Sequence, residues 1–430
     1  MSIALFFHIV EFCFSNYFYC YMHKKTLWAI SSMPQHLKSQ NKTQVSTYIF
    51  DKKKKHRHRS SDARKTASSL ITAVDLFAGA GGFSLASNNV GIKILAAVEI
   101  SNHACSTYKK NLIEKMGLDI RLFNEDITQL TPERMVVEIP TLANGCDLIV
   151  GGPPCQGFSS HRFKDKGVGD PRNELLIRYF HFVRVLRPRA FLIENVPGLL
   201  WERHQAYLER FKQEATLANY KLFDPVLLNA CDYGVPQRRR RVFILGVRTE
   251  DEPKILWPPQ ATHSGANKSM RKNGVISDWV NAGEVFAKPL PENDKNAIHM
   301  NHSESMVQRF RDTPKNGGSR SESGYILPCH VNHDGHKDCY GRIDPSMPGP
   351  TMTTACINPS KGRFVHPTSH HGITLRHAAR FQTFPDDFIF EGGLIAGGVQ
   401  VGNAVPITMG EKLLAPLVEA LQRPKENDDA

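Results

Sequence analysis

The stretch AVDLFAGAGGFS, residues 73–84, decides the fold class. Its first half is an apolar run of strand length. Its second half is a turn carrying Gly79, Gly81 and Gly82, and a helical pattern follows. Glycines at a first strand-to-helix turn let a ligand approach the backbone where a helix begins. Working outward, CDLIVGG, IKILAAVEI, AFLIENV and VFILGVR repeat the compact apolar run ending in turn residues. FSLASNNV, HACSTYKKNLIEKM and ELLIRYFHFVRVL read as the intervening helices. Strand–helix alternation of this kind predicts a parallel sheet covered on both faces.

The alternation fails between about Pro253 and Cys339, where Pro, Gly, Asn, His and Ser dominate. Order returns with ITLRHAARFQTFPDDF and a closing helix, ITMGEKLLAPLVEALQ. The expected organisation is an N-terminal extension and basic linker over 1–69, a cofactor-binding and catalytic domain over 70–252, a second irregular domain over 253–339, and a return to the first domain over 340–430. The net charge of +12 is misleading as a nucleic-acid signal. Residues 1–69 hold 12 Lys/Arg against 3 Asp/Glu, which leaves 42 against 39 for the rest. Any grip on nucleic acid in the ordered chain must therefore come from a local patch. With 41% hydrophobic and 22% charged residues the chain reads as globular, not as a disordered or membrane protein. Nine scattered cysteines in a chain of this size read as reduced thiols in the cytoplasm.

Two acids sharpen the reading of the turn. Glu99 ends the second strand, and Asp126 follows the third in RLFNEDITQL. Carboxylates at the carboxyl ends of successive strands line the crevice where such sheets bind ligands, and an acid after the second strand takes ribose hydroxyls. NAD and S-adenosylmethionine both fit that far. The order Gly79, Ala80, Gly81, Gly82 does not match the dinucleotide fingerprint G-x-G-x-x-G, so a methyl donor fits better.

The reactive end is GGPPCQGFSS, residues 151–160. Pro153 and Pro154 fix their own φ and restrict the residues before them, so Cys155 is held in a set direction at the end of a central strand. Gly157, Ser159, Ser160, Gly167 and Gly169 then read as a long polar loop suited to closing over a substrate. A thiolate mounted in this way serves as a nucleophile. FLIENVPGLL puts Glu194 at the end of the next strand. YGVPQRRRRVFILG brings four arginines to the start of another, with Gln237, Arg239 and Arg241 alternating to one face and Arg238 and Arg240 to the other.

Taken together, DLFAGAGG, EI, EDIT, GGPPCQGFS, DPRNELL, ENV, QRRRR, RHAARFQTFPDDF and VGNAVP resemble, in order and spacing, the motifs of the DNA (cytosine-5)-methyltransferase family. The resemblance covers about residues 71–255 and 340–420. It implies a Rossmann-like S-adenosylmethionine-dependent methyltransferase fold of the α/β class, with a second, smaller irregular target-recognition domain. It implies S-adenosyl-L-methionine as cofactor, contacted by Phe77, Gly79, Gly81, Glu99, Asp126, Pro154, Asn403 and Val405. Cys155 matches the nucleophile, Glu194 the carboxyl that contacts a flipped cytosine, and Arg239 the arginine that binds the base. Gln156, Ser159, Arg172, Gln237 and Arg241 fall at substrate-binding positions. Ile100 stands where the family often has an aromatic, and His377 replaces a frequent acid.

The partner implied is double-stranded DNA. A cognate restriction endonuclease would act separately, the protein would work as a monomer at the nucleoid, and neither membrane nor metal is expected. CHVNHDGHKDC, with Cys329, His330, His333, His336 and Cys339, lacks a standard zinc-finger spacing and reads as a polar loop. An RNA cytosine-5 methyltransferase on the same scaffold and a catalytically silent DNA-binding relative are the alternatives. Intact Cys155 and Glu194 argue against the second.

Overall fold

A computed structural model describes residues 70–153, 173–251, 255–265, 276–324 and 338–422. In chain order the elements begin with β1 (Thr72–Leu76), α1 (Gly82–Asn89), β2 (Lys93–Glu99), α2 (Asn102–Tyr108), β3 (Arg121–Asn124), α3 (Pro132–Glu138) and β4 (Leu148–Gly151). They continue with α4 (Asn173–Leu186), β5 (Ala190–Asn195), α5 (Gln205–Leu217), β6 (Tyr220–Leu222), β7 (Val226–Asn229) and β8 (Arg240–Arg248). Next come β9 (His263–Ser264), β10 (Ser277–Asp278), α6 (Ala282–Ala287) and α7 (Glu304–Asp312). The chain closes with α8 (Leu375–Phe381), α9 (Gly393–Asn403) and α10 (Ile407–Gln422).

One sheet runs β3-β2-β1-β4-β5-β8-β6, with β7 beside β8. Strands β1 to β5 are parallel to their neighbours, and β8 returns antiparallel to β5. The five long apolar runs read from the sequence are all strands of this sheet. The burial of β5 explains why that reading works, since all six residues from Ala190 to Asn195 are buried. A strand covered on both faces has no polar face and reads as a continuous apolar run. The order reverses between β1 and β4, so the ligand crevice of such a sheet lies beyond their carboxyl ends.

Each face has its own core. One is built on α3, α4 and α5, where Phe180 and Phe211 meet edge-on at 5.0 Å. The other joins α1 and α10 to the irregular lobe through Val285, Ile343, Met352, Phe364 and Ile373. The second predicted helix differs from expectation. After α2 it widens into a π-helical stretch, Lys109–Lys115. Asn111 donates to Thr107 O at 2.7 Å and to Ile389 O at 2.8 Å, and accepts from Ile389 N, so its side chain stitches this helix to the distant 384–391 segment.

The packing of the irregular lobe continues past residue 339. Fully buried Arg342 donates to the carbonyls of Phe310, Thr313, His366 and Ser369, tying residues 338–373 to α7. Two arginines on α8 clamp this lobe to the sheet domain. Arg376 makes a buried two-point pair with Asp294, and Arg380 makes one with Asp386 while also donating to Val285, Lys288 and Pro289 carbonyls. Among the described residues no helix is long and apolar enough to cross a membrane. The cysteines at 105, 146, 231, 339 and 356 are free thiols.

Candidate active site

The glycine turn after β1 is built for close approach. Phe77 has φ +63°, Gly79 +56° and Gly81 +93°. A phenylalanine in the left-handed region is a strained conformation held by its surroundings. At Gly82 a Cβ would sit 2.7 Å from Val405 O, so the start of α1 lies directly against the VGNAVP segment. That contact brings Val405 and the exposed Asn403 to the same turn.

Glu99, at the end of β2, accepts from Gly79 N and Ser101 N at 2.8 Å each, so its carboxylate spans the first two strand-end turns. Asp126 follows β3 and accepts from Thr128 N at 2.9 Å. The predicted row of acids is present, and Ile100 beside Glu99 is 63% exposed.

One residue here escaped the sequence reading. Asp75 is 1% exposed, accepts from Ser84 Oγ at 2.6 Å and takes the Ser84 backbone N–H as well. Tyr108 donates to the same hydroxyl at 2.7 Å. Burial pushes the Asp75 carboxyl up to about 7, against the hydrogen bonds from Ser84. Ser84 lies in the first turn of α1, so the protein's own carboxyl covers the helix N-terminus that a phosphate would otherwise use. An acid in the middle of an apolar strand was the available signal.

At the reactive end, β4 ends at Gly151 between β1 and β5. Pro153 is described and buried, and its carbonyl lies 3.5 Å from Asn195 Nδ2. Pro154, Cys155, Gln156, Ser159 and Arg172 lie outside the described residues, as do Cys329, His330, His333 and His336. Glu194 is 9% exposed and pairs in register with Phe243, so it shares a face with Arg241 and Arg239. Arg241 Nε lies 2.8 Å from Glu194 Oε1, off the N–H direction, which makes the contact an ion pair and leaves that oxygen without a hydrogen bond.

Arg239 is 1% exposed. Its two terminal nitrogens donate to Met352 O and Gly402 O at 2.9 Å each, and its Nε has no partner. Burial, then the charge of Arg241, pulls its pKa down to about 9, which leaves it charged at neutral pH. The predicted alternation holds, with Arg238 and Arg240 exposed. Gln237 has a different task from the one expected of a substrate contact. It is fully buried, donates to Phe381 O and Gln382 Oε1, and accepts from Met352 N, so it anchors the 349–352 segment to α8.

His377 shows how the departure from the acid is absorbed. As a neutral imidazole it accepts at Nδ1 from Thr374 Oγ1 at 3.0 Å, while the His377 backbone N–H donates to Thr374 Oγ1 at 3.1 Å, which closes the N-terminus of α8. Among the described residues no group of three or more His, Cys, Asp or Glu side chains could hold a metal ion. A cavity of about 430 Å³ lined by Asn89, Lys115, Asp387 and Glu411 lies at the far end of α1, toward the amino ends of the strands, so it is not the ligand crevice.

Comparison with known proteins gives the family. The profile of the C-5 cytosine-specific DNA methylase family matches residues 71–419. The type II methyltransferase M.Eco47II of Escherichia coli is 31% identical over 369 residues, covering 84% of this chain and 82% of its own. M1.HphI of Haemophilus parahaemolyticus is 33% identical over 346 residues, covering 80% and 85%. Among solved structures, a DNA modification methyltransferase encoded within an E. coli prophage aligns with TM-score 0.62 at 24% identity, covering 82% of this chain and all of the other, and so supports the fold. The chain belongs to the C-5 cytosine-specific DNA methylase family.

Proposed function

We propose that the protein transfers a methyl group from S-adenosyl-L-methionine to carbon 5 of a cytosine flipped out of a specific duplex sequence, through a covalent adduct with Cys155. One observation carries this reading. The strand order β1-β4-β5 sets the carboxyl end of β4, two residues short of Pro153, between the glycine turn held by Glu99 and the end of β5, where Glu194 stands.

The crevice suits this cofactor. Glu99 and Asp126 offer carboxylates for ribose hydroxyls, and Asp75 occupies the phosphate-binding end of α1, which disfavours a dinucleotide. Gly79, Gly81, Phe77, Pro154, Asn403 and Val405 would complete the site. When bound, S-adenosylmethionine supplies an electrophilic methyl group on a sulfonium.

Cytosine carbon 5 is too electron-poor to take that methyl directly. The Cys155 thiolate adds to carbon 6, and the electron pair of the 5,6 double bond makes carbon 5 nucleophilic. Glu194 contacts the ring nitrogen at position 3, where electron density accumulates, and Arg239 and Arg241 supply positive charge beside it. Once methylated, carbon 5 loses its proton, the double bond re-forms, and Cys155 leaves as thiolate. These atoms are out of reach in a stacked duplex, so the base must be extruded, with Gln156, Ser159 and Arg172 on the loop that would close over it. The type II relatives support a modification role alongside a separate endonuclease, and a monomer acting at the nucleoid is consistent with that role.

A duplex carrying 5-fluorocytosine tests the chemistry. Methyl transfer proceeds but fluorine cannot leave as a cation, so the protein should remain on the DNA through denaturing electrophoresis. The adduct should require S-adenosylmethionine, vanish in Cys155→Ala, and form much more slowly in Glu194→Gln. Fluorinated DNA that is bound at the methylated sequence without trapping the chain would exclude the covalent route. Transfer to RNA but not to DNA would favour the RNA scaffold.

A further inference from the structure

Arg240 opens β8, is exposed, and lies on the face opposite Arg239 and Arg241. On that face β8 buries Val242 and Ile244 with Ile193 of β5 and with Leu199, just past the end of β5. The chain then emerges at Leu200 and Trp201, which are 36% and 40% exposed. The Arg203 guanidinium lies over the Trp201 ring at 4.4 Å, and its Nε donates to His204 Nε2 at 3.1 Å. Among the described residues no carboxylate pairs with Arg203 or Arg240, and the exposed Glu202 between Trp201 and Arg203 makes no ion pair. The irregular lobe packs on the other face of the sheet, through the core that holds Met352 and Phe364.

We propose that Trp201, Arg203 and Arg240 form a second duplex-backbone contact, on the face opposite the irregular lobe, which holds phosphates beside the target base without reading sequence. The inference rests on the crevice being where the target cytosine is presented. Two exposed guanidiniums lacking acidic partners are complementary to phosphates and suited to two-point bonding. Trp201 shows 40% of its surface to solvent and carries the Arg203 guanidinium on its ring. Its service here is to hold Arg203 in one orientation, so that less freedom is lost when a phosphate arrives. The patch sits at the carboxyl rim, as Glu194 does, since Leu199 to Arg203 continue directly from the strand that carries it. DNA gripped by the lobe on one side would thus meet a sequence-neutral cation pair on the other.

The full-length chain and the double variant Arg203→Gln/Arg240→Gln should be compared on a fluorescent duplex of mixed sequence across a salt series. The slope of log affinity against log salt should become shallower by about 1.8 in the double variant. The KM for DNA in a methyl-transfer assay on unmethylated phage DNA should rise roughly tenfold, with kcat and the methylated sequence retained. Trp201→Ala should fall between, and Trp201→Phe should restore most of the loss. A folded, methylating double variant with the wild-type slope would overturn the proposal. A fall in kcat at unchanged slope would do the same, because the patch would then act on the chemistry or the fold. Failure of the methyltransferase reading would show separately, as a wild-type chain that binds the duplex but transfers no methyl group.

Discussion

Single residues carry the chemistry of this chain, and the one with the clearest pH signature is Asp75. Its carboxyl has an ordinary value near 4 when unfolded and about 7 when folded, raised chiefly by burial. The folded state therefore binds more protons than the unfolded state between those values. The contribution of Asp75 is most favourable below the unfolded value and is lost as pH rises through 7. Asp75→Asn keeps an acceptor for Ser84 Oγ and removes the buried charge. The expected outcome is greater stability than wild type at about pH 8, by up to the roughly 4 kcal/mol that the shift represents and seen as a higher Tm, and little difference at about pH 5. Thermal melts across pH check this, and parallel curves for the two proteins would refute it. The place of Glu194 near the end of β5 was legible because a continuous apolar run announces a buried strand, whereas Cys155 lies outside the described residues. The role of Asp75 was not legible, because nothing local in a strand says that an acid folds under a helix terminus.

At the scale of elements the sheet strands were easier to read than the irregular lobe, and the histidines of that lobe show why. His366 accepts from Ser369 N at 3.0 Å, and His299 stacks on His371 with ring centroids 4.1 Å apart. Burial, then the neighbouring His371 and Arg342, pulls His366 down to about 4. Burial, then His366 and Arg380, pulls His377 down to about 3. His302, His370 and His371 are lowered as well. Here the unfolded chain binds more protons, so the stability from neutral imidazoles is complete above about 6.5 and is lost as pH falls from there toward 4. His366→Gln, which can still accept from Ser369, should flatten the decline of Tm between about pH 6.5 and 4 relative to wild type. Unchanged slopes would exclude His366 as a source. These histidines lie between 299 and 377 in sequence, and their proximity is created by chain crossings around Arg342 that no local pattern encodes. The widening after α2 has the same origin, since Asn111 bonds the distant Ile389 as well as Thr107 of its own helix.

For the whole molecule, the motifs all lie downstream of residue 70, and residues 1–69 carry a net charge of +9. Deleting residues 1–69 should leave the methylated sequence and most activity intact and make the salt dependence of DNA binding shallower. Bisulfite sequencing of DNA from expressing cells, paired with salt titrations, checks both, and a folded truncation that methylates a different sequence would contradict the expectation. The sequence alone determined the α/β class, the parallel strands from β1 to β5, the closing helix and the family. Each depends on patterns local in the chain: apolar runs, glycine turns, prolines before a cysteine. Tertiary structure alone decided which side chains are free to act. Gln237, Arg239 and Arg241 share one face by simple alternation, yet Gln237 is fully bonded inside the protein, Arg239 is tied to Met352 and Gly402, and Arg241 lies against Glu194. Those partners come from segments far apart in sequence, and burial and hydrogen bonding are settled by the neighbours that folding brings in.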